Sequence, residues 1–224
     1  MSILCISGTN TDVGKTIATA ALALAGQAQG FEVIPIKPVQ TGEPEGEGDA
    51  TTIERLSGIQ GVCLRRYPEP LAPNLSARRA GMQQASVAEI CQEITALDRP
   101  GRLLLVEGAG GLLVRLNEQE SFADLVHALD APLVIVSSMG LGSLNLAELS
   151  VEAARRRGID VKALIGGSVE ASPDLATRLN IEEMPKICHV PLWGVLPEGS
   201  GALSREAFAQ MARRHLRPDF TADQ

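Results

Sequence analysis

Gly8-Thr9-Asn10-Thr11-Asp12-Val13-Gly14-Lys15-Thr16 is the stretch that decides the fold. It follows the apolar run Ile3-Leu4-Cys5-Ile6, which has the pattern of a buried strand. It opens residues 15–29, where Ala and Leu recur at helical spacing up to Gly30. A glycine-rich turn between strand and helix, ending Gly-Lys-Thr, is the setting of a phosphate-binding loop. Its glycines let successive backbone N–H groups converge on phosphate oxygens, and the helix N-terminus adds a positive end. Lys15 is placed to reach the terminal phosphates, and the Thr16 hydroxyl to ligate Mg²⁺. Five residues rather than four separate Gly8 from Gly14, so the loop is longer than the common Gly-x4-Gly-Lys-Thr form.

The remaining chain continues the alternation of strand and helix. Strands are predicted over residues 31–36 (ended by Pro38), 102–107, 132–137, 161–165 and 193–196. Helices are predicted over 50–56, with Asp49 as N-cap and Gly58 as the stop, then 86–97, 144–157, a weaker 174–179, and 205–215. Residues 61–80, punctuated by Pro68, Pro70 and Pro73, read as a loop. Leu103-Leu104-Leu105-Val106 and Leu133-Val134-Ile135-Val136 are apolar without alternation, as strands covered on both faces must be. The expected fold is α/β: a doubly wound, mostly parallel sheet with helices on both faces, of the P-loop NTPase type. One domain is expected over residues 1–224, with 217–224 a dispensable tail.

Composition narrows the function. Aromatics are 3% of the 224 residues, so the core must be aliphatic. A formal charge of −7 argues against the clustered positive footprint of a nucleic-acid binder. No apolar run approaches the ~18–20 residues that span a bilayer, and the N-terminus lacks a signal peptide's basic region. Cys5, Cys63, Cys91 and Cys188 show no metal or redox spacing, which suits a reduced cytoplasmic protein. His127, His189 and His215 lie near no motif, Trp193 and the methionines read as core, and no Ser-His-Asp pattern is present.

Other motifs fall where strands should end, which is where ligands bind in open α/β sheets. Val106-Glu107-Gly108-Ala109-Gly110-Gly111 puts an acid at a strand end, as a direct or water-mediated Mg²⁺ ligand. Lys37-Pro38-Val39-Gln40-Thr41-Gly42 puts a second lysine over the rim shared with Lys15. That suits phosphoryl transfer to an anionic acceptor. Asp49 serves as an N-cap, a metal ligand or both, and Asp12 is a further candidate for holding metal or substrate. Met139-Gly140-Leu141-Gly142-Ser143-Leu144-Asn145 opens a helix and offers an anion site suited to a carboxylate, or else is a plain glycine turn.

Taken in order and spacing, these segments resemble the dethiobiotin synthetases from about residue 3 to residue 200. The resemblance implies closure of a cyclic urea on 7,8-diaminononanoate with CO₂ and ATP, with Mg²⁺ as cofactor. It also implies a homodimer with its substrate site at the subunit interface. By position, Lys15 and the backbone of Asp12, Val13, Gly14, Thr16 and Ile17 would hold phosphates, helped by Gly108, Ala109 and Gly110. Thr16, Asp49 and Glu107 would serve Mg²⁺. Lys37 would be the active-site lysine, and Lys15 would share in catalysis. Thr11 would face the diamine and carbamate, with Thr41 standing where the family usually has Ser. Leu141, Gly142, Ser143, Leu144 and Asn145 would grip the substrate carboxylate from the partner subunit.

The base pocket departs from the family pattern. Where an Asn-Asp pair is usual, this chain has Gly167-Ser168, with Pro197, Glu198 and Gly199 as the other edge. Gly167 has no amide to read a base, so CTP or GTP are expected as alternative donors to ATP. Three rival readings remain. A partitioning-type switch ATPase would carry an extra lysine where Asn10 stands. A cobyrinate-amidating ligase would need a glutaminase domain, and 224 residues leave no room for one. A nucleotide-sensing module would show an ATP signal independent of substrate.

Overall fold

In the computed structural model, which describes residues 2–220, each central strand sends alternate side chains to opposite faces of one sheet. The strands are β1 (Ile3–Gly8), β2 (Glu32–Thr41), β3 (Val62–Tyr67), β4 (Arg102–Gly111), β5 (Leu133–Ser137), β6 (Val161–Val169) and β7 (Leu192–Pro197). All pairings between them are parallel, in the order β3-β2-β4-β1-β5-β6-β7. Leu4, Ile6, Leu103, Leu105, Val134 and Val136 enter one core, under helices α1 (Lys15–Ala28), α2 (Asp49–Ser57) and α8 (Arg205–His215). Ile3, Cys5, Leu104, Val106, Leu133 and Ile135 enter the other. That second core lies under α3 (Pro73–Arg79), α4 (Val87–Thr95), α5 (Phe122–Ala128), α6 (Ser143–Arg155) and α7 (Leu175–Cys188). Both faces being dry is why the central strands show no alternation.

The structure corrects several boundaries. β2 does not end at Pro38. Its ladder with β4 stops at Ile36↔Val106, and Pro38 is not among the residues paired with β3. Residues 61–80 are not a loop: they hold the edge strand β3 and the helix α3, which Pro73 begins. β3 is only half-buried and carries Arg65 and Arg66, so it lacks the apolar signature of a covered strand. α5 was not expected, although Ser121 and Asp124 form a capping box, Asp124 accepting from the Ser121 N–H at 2.6 Å. α7 runs on through Pro185 to Cys188. Met82 is exposed rather than core. All four cysteines are free thiols. Among the described residues, no helix is long and apolar enough to cross a membrane.

The segment expected to be a tail is packed as far as it is described. The Arg217 N–H donates to Trp193 O at 2.8 Å, and Phe220 is 2% exposed. Its ring stands edge-on to Phe31 at 6.2 Å and to Trp193 at 6.1 Å. The rest of the expected tail, residues 221–224, lies outside the described residues. In a chain this poor in aromatics, Phe220 closes the end of a core. Phe220→Ala is therefore expected to cost about 3 kcal/mol of unfolding free energy, read by urea denaturation. An unchanged midpoint would return the segment to a dispensable role.

Candidate active site

The phosphate loop joins the end of β1 to the start of α1, and close approach shapes it. A Cβ at Gly8 would lie 2.6 Å from Asn10 O. Asp12 and Gly14 both adopt left-handed backbone, with φ of 57° and 93°. The loop is tied down by the Thr9 N–H to Val136 O at 2.9 Å and by Lys15 Nζ folding back to Asn10 O at 3.1 Å. The first internal bond of α1 runs from Ala18 N–H to Gly14 O, so the N–H groups of Lys15, Thr16 and Ile17 have no acceptor within the helix. They border a cavity of about 780 Å³ at the carboxyl ends of the strands. That is room for a nucleotide and a small second substrate.

The register of the sheet builds the charged centre. One residue past the pair Ile36↔Val106, Lys37 and Glu107 stand side by side, and α2 brings Asp49 above them. Lys37 is 3% exposed. Its Nζ lies 3.1 Å from Glu107 Oε1, donates to Gly108 O at 3.0 Å and is ion-paired to Asp49. Thr16 Oγ1 donates to Asp49 Oδ1 at 2.7 Å and lies 3.1 Å from Glu107 Oε1. Thr19 Oγ1 donates to Glu107 Oε2 at 2.6 Å. Burial alone would pull the Lys37 ammonium down, but Glu107 and Asp49 together hold it above its ordinary value. Burial pushes Asp49 up, and Lys37 and Thr16 more than reverse that, so it is held low. Burial raises the Glu107 carboxyl, Lys37 pulls against it, and Asp49 adds to the rise. Lys15 is lowered, first by burial and then by the nearby Lys37.

This arrangement fits a hard cation. The Thr16 hydroxyl and the Asp49 and Glu107 carboxylates converge as oxygen donors of the kind Mg²⁺ takes. No group of three or more His, Cys, Asp or Glu side chains placed to hold a metal occurs among the described residues. A Mg²⁺ here would draw its other ligands from phosphate and water.

Most expected site residues meet. Thr11, Asp12, Gly14, Lys15, Thr16, Ile17, Lys37, Thr41, Asp49, Ala109, Gly110, Gly167, Ser168, Pro197 and Gly199 line the one cavity. Asp49 is not an N-cap. Gly48 takes that position, and Asp49 is the first helical residue, its N–H bonded to Gln40 Oε1 at 2.9 Å. Gly108 turns away from the cavity, where a Cβ would stand 2.8 Å from the Phe122 ring, and only its carbonyl serves, accepting from Lys37. Val13, Glu107 and Glu198 do not line the main cavity, Glu107 being buried beneath Lys37 and Thr16. Nor do Leu141, Gly142, Ser143, Leu144 and Asn145. Gln40, which seats Asp49, and Thr19, which orients Glu107, escaped the sequence reading. A lone Gln in a strand and a lone Thr in a helix carry no motif.

A family model described as an AAA domain matches residues 3–203. The ATP-dependent dethiobiotin synthetase BioD of Corynebacterium diphtheriae is 60% identical over 211 residues, 94% of this chain and 95% of that protein. The chain belongs to the ATP-dependent dethiobiotin synthetase family. The BioD of Saccharopolyspora erythraea is 46% identical over 220 residues, covering 97% of this chain and 96% of that one. Solved structures that resemble it include the Pyrococcus furiosus cell division ATPase MinD. Its TM-score is 0.59 at 16% identity, with 95% of this chain and 97% of that one covered. The MinC:MinD complex of Aquifex aeolicus gives 0.55 at 16%, with 96% and 95% covered. At that identity the likeness shows the P-loop α/β fold alone, and the switch-ATPase reading is not favoured. In this member of the family the departure at residue 167 has a steric side. A Cβ there would stand 1.9 Å from Val13 O, so the phosphate loop rests directly on Gly167.

Proposed function

We propose that the chain makes dethiobiotin from 7,8-diaminononanoate, CO₂ and ATP, with Mg²⁺. The observation that carries this is the buried Lys37 between Asp49 and Glu107, beside a phosphate loop and one shared cavity. An amine must be neutral to attack CO₂. Lys15, Lys37 and the α1 N-terminus surround the acceptor space with positive charge, which lowers the pKa of a bound amine. The same groups hold the carbamate anion once it forms, with the Thr11 and Thr41 hydroxyls as neutral donors lining the cavity. The γ-phosphoryl group then passes to the carbamate oxygen, and Lys37 stabilises the charge that spreads over the transferring group. The second amine closes the ring on the mixed anhydride and expels phosphate, an intramolecular step in which proximity supplies much of the rate. No protein nucleophile is required. Thr16, Asp49 and Glu107 would hold Mg²⁺, which would supply charge neutralisation at the phosphates when bound.

The carboxylate grip is assigned to residues 141–145 of a second copy. These residues stay out of the main cavity in one chain, and Leu141 is 93% exposed. Leu149, Leu175 and Leu179 add exposed apolar surface on α6 and α7, which supports a homodimer. Free thiols throughout support a reducing, cytoplasmic setting.

Purified protein with Mg²⁺, ATP and bicarbonate should release ADP only when the diamine is added, and the product mass should show one added carbonyl. ADP release indifferent to the diamine would overturn the reading in favour of a switch ATPase. Because position 167 offers no amide, CTP and GTP are expected to support turnover within about tenfold of ATP, one lost base contact being worth about 1.4 kcal/mol. Strict ATP preference in the same assay would contradict a loose base pocket.

A further inference from the structure

Helix α7 carries one buried amide that the mechanism above does not use. Asn180 is 8% exposed. Its Nδ2 donates to Met139 O at 3.0 Å and Gly140 O at 2.8 Å, and lies 3.2 Å from Ser143 Oγ. Two of these acceptors belong to the turn between β5 and α6, and Ser143 is the first residue of α6. The orientation of the amide follows from its partners, since the flipped form would set Oδ1 against two carbonyl oxygens.

Met139 anchors the start of the turn in the core, and beyond it the turn has little to shape it. Gly142 is left-handed, with φ of 88°, and a Cβ at Gly140 or Gly142 would meet nothing within 4 Å. Above the turn Leu141 is bare to solvent. Within it the Ser143 hydroxyl and N–H both bond Gly140 O, at 2.6 and 3.1 Å. Asn180 therefore holds the turn from beneath, from a different helix. The direction of the free N–H groups at the start of α6 depends on that hold.

We propose that Asn180 is a positioning residue for substrate recognition. It fixes the turn at residues 139–143 so that the Leu144 and Asn145 N–H groups in the first turn of α6 meet the substrate carboxylate. This rests on the carboxylate grip assigned to that turn above. Asn180→Leu keeps similar volume but leaves the buried Met139 carbonyl without its donor and takes one of three donors from Gly140 O, so the turn is held less tightly.

The test compares 7,8-diaminononanoate with its carboxamide on the full-length wild type and on Asn180→Leu. The variant is expected to raise KM for the acid about 30-fold, the range for losing a buried polar partner. KM for the carboxamide and for the nucleotide should stay within about twofold, because neither uses the carboxylate grip. The preference for acid over amide then collapses. A merely structural loss would move all three constants together, and that result overturns the inference. So does a variant that keeps the wild-type preference, which would leave the carboxylate grip standing. A wild type that treats acid and amide alike would refute the grip itself, and the role of Asn180 with it. Should Asn180→Leu fail to fold, Asn180→Ala, uncharged and without the Nδ2 donor, carries the same comparison.

Discussion

Replacing Lys37 by Gln is expected to lower kcat about 10³-fold while nucleotide affinity stays within a few-fold, because the lost charge acts where phosphoryl charge develops. The argument is one of placement. Lys15 reaches into the phosphate loop, whereas Lys37 comes from β2, on the far side of Glu107, with its Nζ bracketed by two carboxylates and Gly108 O. Gln retains a donor for Gly108 O but no charge. Steady-state kinetics and a direct nucleotide titration separate the two effects, and Lys15→Gln serves as contrast, since it should damage both. Equal losses in turnover and binding for Lys37→Gln would contradict a role confined to the transition state. The free variant should also lose roughly 3 kcal/mol of stability, since removing one partner leaves buried carboxylates uncompensated. Thermal unfolding with and without Mg²⁺ and ATP reads that loss, and bound cation should restore part of it.

Gly167→Ala is expected to cut kcat/KM for the nucleotide about 100-fold, the scale of a 1 Å misplacement of a positioning loop. The added methyl would sit 1.9 Å from Val13 O and 3.0 Å from Val13 C, both backbone atoms of the phosphate loop. No rotamer relieves a Cβ, so the loop or β6 must move by more than an ångström. Gly14 is drawn into the same contact, its own ideal Cβ lying 3.5 Å from Gly167 Cα. Unfolding free energy should fall by about 1–3 kcal/mol, the ordinary cost of overpacking, so the kinetic loss should exceed what a folding defect explains. Normal kinetics in a folded Gly167→Ala protein would mean that the working loop does not rest on residue 167. Loop seating and base reading are thus opposed at this position, since an amide that could read a base needs a Cβ the loop does not tolerate.

The comparison of sequence with structure divides along physical lines. Residues whose environment is local, or the same all round, were legible. Gly8 to Thr16 declares itself because a phosphate loop needs close backbone approach, a lysine and a hydroxyl at set spacing. β4 and β5 declare themselves because strands dry on both faces need unbroken apolar runs. Features whose meaning comes from a distant neighbour were not legible. β3 is half-wet, so its Arg-rich sequence reads as loop, and only the free edge of β2 makes it a strand. Phe220 looks like part of a tail until Phe31 and Trp193, nearly the whole chain and 27 residues away respectively, are brought against it.

From the sequence by itself came the α/β class, the nucleotide-binding loop, the presence of Lys37, Asp49 and Glu107, and the family resemblance, because each rests on residue type and spacing along the chain. The tertiary structure decided how those residues meet. Parallel register sets Lys37 beside Glu107, the turn into α2 makes Asp49 an ion-pair partner rather than a cap, and β6 leaves no space at Gly167. It also brought Gln40, Thr19 and Asn180 under the groups they hold. The physical reason is that a side chain's charge state and its hydrogen bonds depend on what lies within a few ångströms. In a parallel sheet those neighbours come from strands and helices far apart in the chain.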